Sequence, residues 1–93
     1  MRMDKFLKVS RLIKRRETAK ALCDDGDIFL NGRKAKAMSE VKPNDHIVLH
    51  LGRHEIEVVV HDVRPYAKKE EANSMYEIIK DEVHERRQSD EQI

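Results

Sequence analysis

The fold is decided by one stretch, KVSRLIKRRETAKALCDDGDIFLNGRKAK, which occupies residues 8–36. A basic cluster at residues 14–16 stands directly before a pattern typical of an amphipathic helix. One face of that predicted helix carries Ala19, Leu22 and Cys23. Gly26 follows at the position where a left-handed residue commonly ends a helix. A β-prone run then leads to Asn31-Gly32, a dipeptide that supplies the positive φ values of a tight turn. The stretch therefore predicts a helix, a cap, a strand and a turn in that order.

Helical and strand patterns continue on both sides of this stretch. Apolar residues three and four apart indicate helices, and strict alternation of apolar and polar residues indicates strands. The predicted segments are helices over residues 3–10 and 16–25, a strand over 27–30, an irregular loop over 33–45, and strands over 46–51 and 54–63. Gly52-Arg53 joins the last two strands as a hairpin with glycine first, as a type II′ turn requires.

The C-terminal part of the chain has a different pattern. After Pro65, residues 67–87 are predicted to form one amphipathic helix in an acidic segment. Its apolar stripe consists of Met75, Ile78, Ile79 and Val83. The predicted fold is α+β: two N-terminal helices packed on a small antiparallel sheet, plus this C-terminal amphipathic helix. We predict two units, a domain over residues 1–65 and an acidic helix and tail over residues 66–93.

The charges are distributed unevenly along a chain that is nearly neutral in total. The 93 residues carry a formal net charge of +1. Residues 1–36 hold eleven Lys and Arg against five Asp and Glu, whereas residues 37–93 hold eight against thirteen. The single cysteine, Cys23, suits a reducing compartment. Neither a signal peptide nor a run of about 20 apolar residues is present. We therefore expect a cytoplasmic protein.

The cations of the N-terminal third form the strongest candidate site. With only two acids among the first twenty residues, they repel one another, and a phosphate backbone would relieve that repulsion. The helices offer few groups for reading base edges and no aromatic platform, which favours backbone recognition of structured RNA over duplex DNA. Two alternatives remain: a module that binds an acidic protein, and a regulator that binds a specific mRNA or DNA site.

The sequence gives little indication of a catalytic site or a metal site. His46 and His50 would share a strand face but lie about 13 Å apart at about 3.3 Å per residue, too far to share a zinc ion. A polar sheet face with a cross-strand pair of His50 and Glu55 is the better interpretation. Cys23 lies in an apolar stripe and is predicted to be a buried thiol. We expect neither an enzyme nor a cofactor or metal.

The order of these motifs resembles a known family. Arg16, Ala19, Leu22, Gly26 and Asn31-Gly32 follow the pattern of the S4 RNA-binding domain, and the opening MRMDKFLKVSRLIKRR resembles the helix that precedes it. Two positions depart from that pattern. Asn44 stands where glycine is common, and Arg15 stands where many members carry a Ser or Thr helix cap, whose loss costs about 1 kcal/mol.

The resemblance covers nearly the whole chain, so it implies a stand-alone member without a catalytic domain. The resemblance to such members implies that the protein binds stalled large ribosomal subunits and contacts ribosomal RNA and peptidyl-tRNA. It also implies that the protein supports C-terminal tailing of the trapped nascent chain, together with a tail-adding factor. Off the ribosome we expect a monomer. Arg16 is the strongest single candidate because it matches the family motif at a helix start. The predicted RNA-binding residues are Arg2, Lys5, Lys8, Arg11, Lys14, Arg15, Arg16, Lys20, Asn31 and Lys36.

Overall fold

The computed structural model describes residues 1–83, which form an α+β fold with one antiparallel sheet. The helices are α1 (Met3–Val9), α2 (Arg16–Asp24) and the short α3 (Lys69–Ala72), which continues into a 3₁₀ turn (Asn73–Met75). The strands are β1 (Ile28–Leu30), β2 (Arg33–Lys34), β3 (His46–Leu51), β4 (His54–Val60) and β5 (Tyr76–Val83). The predicted fold class, with two N-terminal helices and a small antiparallel sheet, is confirmed.

The strands lie in the order β2-β1-β3-β4-β5, and every neighbouring pair is antiparallel. The β3–β4 hairpin has the register expected from its turn, with Leu51 opposite His54 and His50 opposite Glu55. Gly52 has a φ of 65°, as the first position of that turn requires. Turn geometry therefore fixed which side chains of this hairpin face the core.

The core lies between the two N-terminal helices and one face of the sheet. Helix α1 contributes Met3, Phe6 and Leu7, all fully buried. Alternate residues of β3 and β4 meet them from the sheet, and α2 adds Ala19 and Cys23. The sheet residues of the core are Ile28, Ile47, Leu49, Val58 and Val60. Burial of this apolar surface holds α1 and α2 in a fixed position on the sheet.

Helix α2 begins and ends as the sequence predicts. Arg15 is the N-cap, with extended φ and ψ of −124° and 141° and no side-chain cap hydrogen bond. Gly26 follows the C-cap with a φ of 82°. Its N–H donates to the carbonyl of Cys23 (3.1 Å), and the next N–H donates to Leu22 (2.9 Å). These bonds satisfy carbonyls that the helix end would otherwise leave unpaired.

The structure corrects the prediction of an irregular loop over residues 33–45 in one place. Residues 33 and 34 form β2, paired with β1 so that Leu30 faces Arg33 and Phe29 faces Lys34. This strand has two exposed, charged residues, so neither hydrophobic alternation nor length marked it. It forms because the Asn31-Gly32 turn folds it back onto β1.

The predicted helix over residues 67–87 is wrong for most of its described length. After α3 and the 3₁₀ turn, the chain forms β5 and pairs along β4. Met75 is fully buried, but Ile78, Ile79 and Val83 are 46%, 47% and 59% exposed, so they are not a helical stripe. Pairing along β4 satisfies backbone groups of that strand, and β-branched residues suit an extended backbone. Residues 84–87 of the predicted helix and the tail at 88–93 lie outside the described residues. The boundary at residue 65 stays a prediction, although β5 belongs to the same sheet as β4.

Candidate nucleic-acid interface

Two predicted site residues, Arg2 and Arg16, meet at one buried carboxylate. Asp4 is only 3% exposed. Its Oδ1 accepts hydrogen bonds from Arg2 Nε and Arg16 Nη2, each at 3.3 Å, and its Oδ2 accepts one from Arg2 Nη2 at 3.3 Å. The side chains of Arg2 and Arg16 stay 50% and 46% exposed. Each guanidinium is therefore anchored on one side while the rest of it faces solvent.

The charge state of Asp4 supports this arrangement. Burial acts to raise the pKa of its carboxyl group, but the hydrogen bonds and positive charges of Arg16 and Arg2 together outweigh burial. The net result is a pKa below the ordinary value of 3.8. Asp4 is thus ionised at neutral pH and holds both guanidinium groups by charge-assisted hydrogen bonds.

Backbone hydrogen bonds fix the start of α1, where Arg2 is the N-cap. The N–H of Met3 donates to the carbonyl of Ser39 at 2.8 Å, and the N–H of Asp4 donates to the carbonyl of Ala37 at 3.1 Å. These bonds pair two of the N–H groups that every helix start leaves unsatisfied. The loop after β2 therefore positions both Arg2 and Asp4.

Three further predicted cations surround the corner between α1 and α2. Lys8, Arg11 and Lys14 line a shallow concavity of about 330 Å³. Arg11 has a φ of 68°, a left-handed conformation that turns the chain sharply. The buried Ser10 stabilises the corner, because its hydroxyl donates to the carbonyl of Leu7 at 3.3 Å. The corner thus brings together cations that are three residues apart in sequence.

The remaining predicted residues have varied surroundings. Arg15 is exposed at the start of α2, and Lys5 is half-buried on α1. Lys20 and Lys36 line a second, larger cleft together with Arg2. Asn31 is held by the fold: its amide nitrogen donates to Asp45 Oδ1 at 3.2 Å, and its amide oxygen accepts from the N–H of His46 at 2.9 Å. That an RNA also contacts Asn31 stays a prediction.

The sequence interpretation missed Asp4, counting it only as an acid among cations. Its partners are two and twelve residues away, and the second becomes a neighbour only when α1 packs against α2. An acid among apolar residues on the inner face of a predicted helix was the available signal. Such a residue needs a cationic partner when it is buried.

The described residues contain no other site chemistry that the sequence left open. Within residues 1–83, no three His, Cys, Asp or Glu side chains group closely enough to hold a metal ion. His84 lies outside the described residues. Cys23 is buried as predicted, and burial raises the pKa of its thiol to about 11, so it stays protonated. None of the helices in the same range combines the length and hydropathy of a membrane-spanning helix.

Comparison with known proteins identifies the family to which this fold belongs. A family model described as the S4 domain matches residues 1–47, and the chain belongs to that family. Similar proteins carry a more particular name, RQC P-site tRNA stabilizing factor. The protein of that name from Bacillus subtilis (strain 168) is 52% identical over 82 residues, covering 88% of this chain and 95% of that protein. The one from Halalkalibacterium halodurans is 49% identical over 82 residues, covering 88% and 93%.

Two solved structures share the fold. The heat shock protein 15 of Vibrio cholerae superposes with a TM-score of 0.78 at 26% identity, covering 84% of this chain and 80% of that one. The solution structure of hypothetical protein HP1423 gives a TM-score of 0.74 at 33% identity, covering 88% of this chain and 100% of that one. Both likenesses extend beyond residues 1–47 and thus include part of the sheet.

Proposed function

We propose that this chain is a non-enzymatic RNA-binding factor of ribosome-associated quality control. It binds ribosomal RNA and peptidyl-tRNA on large subunits left after stalling, and it supports C-terminal tailing of the nascent chain by a separate tail-adding factor. It acts in the cytoplasm and is a monomer off the ribosome. The name shared by relatives that are 52% and 49% identical to this chain, over most of both proteins, supports this role.

One observation carries the RNA-binding part of the proposal. Asp4 holds Arg2 and Arg16 side by side, with much of each guanidinium in solvent. A guanidinium matches two phosphate oxygens with parallel N–H groups. Because the carboxylate already restricts both side chains, less conformational entropy is lost when phosphate binds. Arg2 and Arg16 are therefore the centre of the proposed RNA interface.

The other cations extend this interface along the two helices. Lys8, Arg11 and Lys14 form one group at the corner, and Arg15 lies next to Arg16 at the start of α2. The proposed flanking contacts come from Lys5, Lys20, Asn31 and Lys36. With about five phosphates neutralised, the logarithm of the binding constant should fall with the logarithm of salt concentration with a slope near −4. A flat response to salt would contradict phosphate binding.

Sedimentation with ribosomal subunits tests the proposal. Wild-type protein should comigrate with large subunits in a sucrose gradient, and Arg16→Ala should shift to the top. Asp4 keeps Arg2 as a partner in this variant, so the fold should survive. The matched control is Arg53→Ala, which removes an exposed arginine at the β3–β4 turn.

Three outcomes of this experiment are informative. Equal sedimentation of wild type and Arg16→Ala would refute the role of Arg16. Loss of binding by Arg53→Ala as well would indicate a nonspecific charge effect. Binding of an acidic protein or a single mRNA in place of large subunits would favour one of the two alternatives open at the sequence level.

A further inference from the structure

A cleft beside the proposed interface has no assigned role. It has a volume of about 600 Å³, within the range of about 300–1,000 Å³ typical of small-molecule sites. One wall is the C-terminal half of α2, and the opposite wall is the segment that follows β2. Arg2 lines one side, so the cleft is continuous with the arginine pair held by Asp4.

The lining of the cleft includes both cations and apolar groups. Lys20, Lys34 and Lys36 join Arg2 as cations, while Ala37 and Met38 supply apolar surface. Met38 is 65% exposed, an unusual position for a large apolar residue beside so many charges. A thioether makes favourable contacts with aromatic rings. The cleft therefore offers a place for a flat ring next to cations that can hold a phosphate.

Two acids complete the lining and narrow the choice of ligand. Asp24 and Asp25 lie at the end of α2, so four cations face two carboxylates. Carboxylates accept hydrogen bonds from the amino groups of bases and from a ribose 2′-hydroxyl. A simple anion would leave these acids without a hydrogen-bond donor, whereas a nucleotide has a donor for them and a phosphate for the lysines.

Hydrogen bonds fix one wall of the cleft. The N–H of Lys36 donates to Ser39 Oγ at 2.8 Å, and the N–H of Ser39 donates to the carbonyl of Lys36 at 2.9 Å. This turn carries Met38 and is tied to α1 through Met3. On the other side, Lys34 lies over Gly26, where a side-chain carbon would come within 3.4 Å of Lys34 Cε and Nζ. The cleft is therefore largely formed before any ligand arrives.

We propose that this cleft holds one unpaired nucleotide of the bound RNA. The base contacts Met38 and Ala37, its phosphate lies against the lysines, and Asp24 or Asp25 accepts from the base or the 2′-hydroxyl. The proposal rests on the RNA-binding function proposed above and adds to it a specificity for RNA with an extrahelical base.

Three RNA hairpins of one stem sequence, each with a fluorescent label, test the proposal by anisotropy titration. The first is fully paired, the second has one bulged guanosine, and the third has an abasic residue at the bulge. The second and third have the same number of phosphates, so they differ only in the base. Because only the guanosine can contact the Met38 thioether and donate to an acid, wild type should bind the guanosine bulge roughly tenfold more tightly than the abasic one.

Two variants locate the preference in the cleft. Met38→Ala should remove most of the tenfold difference and leave affinity for the paired hairpin unchanged within about twofold, since no charge is altered. Its control is Tyr66→Ala, another exposed large apolar residue. Lys34→Met should weaken binding of the bulged hairpin more than Lys42→Met, which removes an exposed lysine outside the cleft.

The outcomes separate this proposal from the function on which it rests. Equal binding of guanosine and abasic bulges by wild type would overturn the nucleotide site while leaving phosphate binding intact. A preference that survives Met38→Ala would also overturn it, because the base would then lie elsewhere. If wild type binds none of the three hairpins, RNA binding by this surface fails, and the cleft proposal fails with it.

Discussion

Replacing Arg15 by serine should make the protein more stable and its RNA binding weaker. Arg15 is the N-cap of α2 and gives no side-chain acceptor to the first turn. A serine there can accept from the backbone N–H of Glu17 or Thr18, which contributes about 1 kcal/mol. Removing a cation from a helix N-terminus adds about 0.3–1 kcal/mol, because the helix dipole disfavours positive charge there.

The two contributions are separable by a matched variant. Arg15→Ala removes the cation without adding a cap, so it should show only the smaller gain. A total of about 1–2 kcal/mol for Arg15→Ser corresponds to a rise in melting temperature of about 4–8 °C per kcal/mol for a domain of this size. Thermal unfolding followed by circular dichroism measures both variants against wild type.

Both variants should bind RNA more weakly than wild type. If Arg15 contacts one phosphate, both variants should lose affinity for large subunits equally, and the salt dependence should become less steep by about 0.7–0.9 in the log–log slope. Filter binding over a series of salt concentrations measures that slope. Two results would refute the reasoning: no stabilisation by serine beyond alanine, or unchanged RNA affinity in both variants.

Three other predictions test features of the fold and site. Asp4→Asn should lower the free energy of unfolding by about 1–3 kcal/mol near neutral pH. Because the pKa of Asp4 is lowered on folding, its contribution to stability is present above the ordinary pKa of 3.8. The difference in unfolding free energy between wild type and variant should therefore close as pH falls through the folded-state pKa. A difference that persists in acid would contradict the ion pairs. Met75→Ala should lower the free energy of unfolding in urea by about 2–5 kcal/mol, whereas Ile78→Ala should lower it far less, since of the two only Met75 is fully buried. Equal losses would favour the helix predicted over residues 67–87 instead of strand β5. Gly26→Ala should destabilise by about 1 kcal/mol or more because its φ is 82°, and an unchanged melting temperature would show that the cap carries no strain.

Local signals in the sequence predicted the N-terminal helices and the hairpin well. Gly26 ends α2 because a left-handed residue is needed there, and glycine adopts that conformation without strain. Asn44, which stands where the S4 pattern has glycine, has a φ of 78°. Asparagine is among the few other residues that tolerate this region, so the departure keeps the turn. In both places the chemistry of one residue determines the backbone.

The rest of the fold depended on partners that are distant in sequence. The apolar spacing from Met75 to Val83 fits a helix, and a strand resulted because β4 pairs with this segment. A register shift opposite Glu57 and Val58 lets β5 continue along β4. Asp4 likewise acquired its role only through Arg16, twelve residues away. Periodicity reports one segment at a time and therefore cannot supply either contact.

The separation of charge along the chain continues in three dimensions, which explains how a nearly neutral protein can present a basic surface. Many acids of the sheet are used within the sheet: Lys80 Nζ lies 3.2 Å from Glu55 and 3.8 Å from Glu82, and Glu57 lies 3.3 Å from His46. In the described part of the chain, the ion pairs formed by the cations of α1, α2 and their caps converge on Asp4. That single acid restricts its two arginines without covering them. The acids therefore lower the net charge, which favours specific over indiscriminate attraction to nucleic acid, but they do not neutralise the face that meets phosphate.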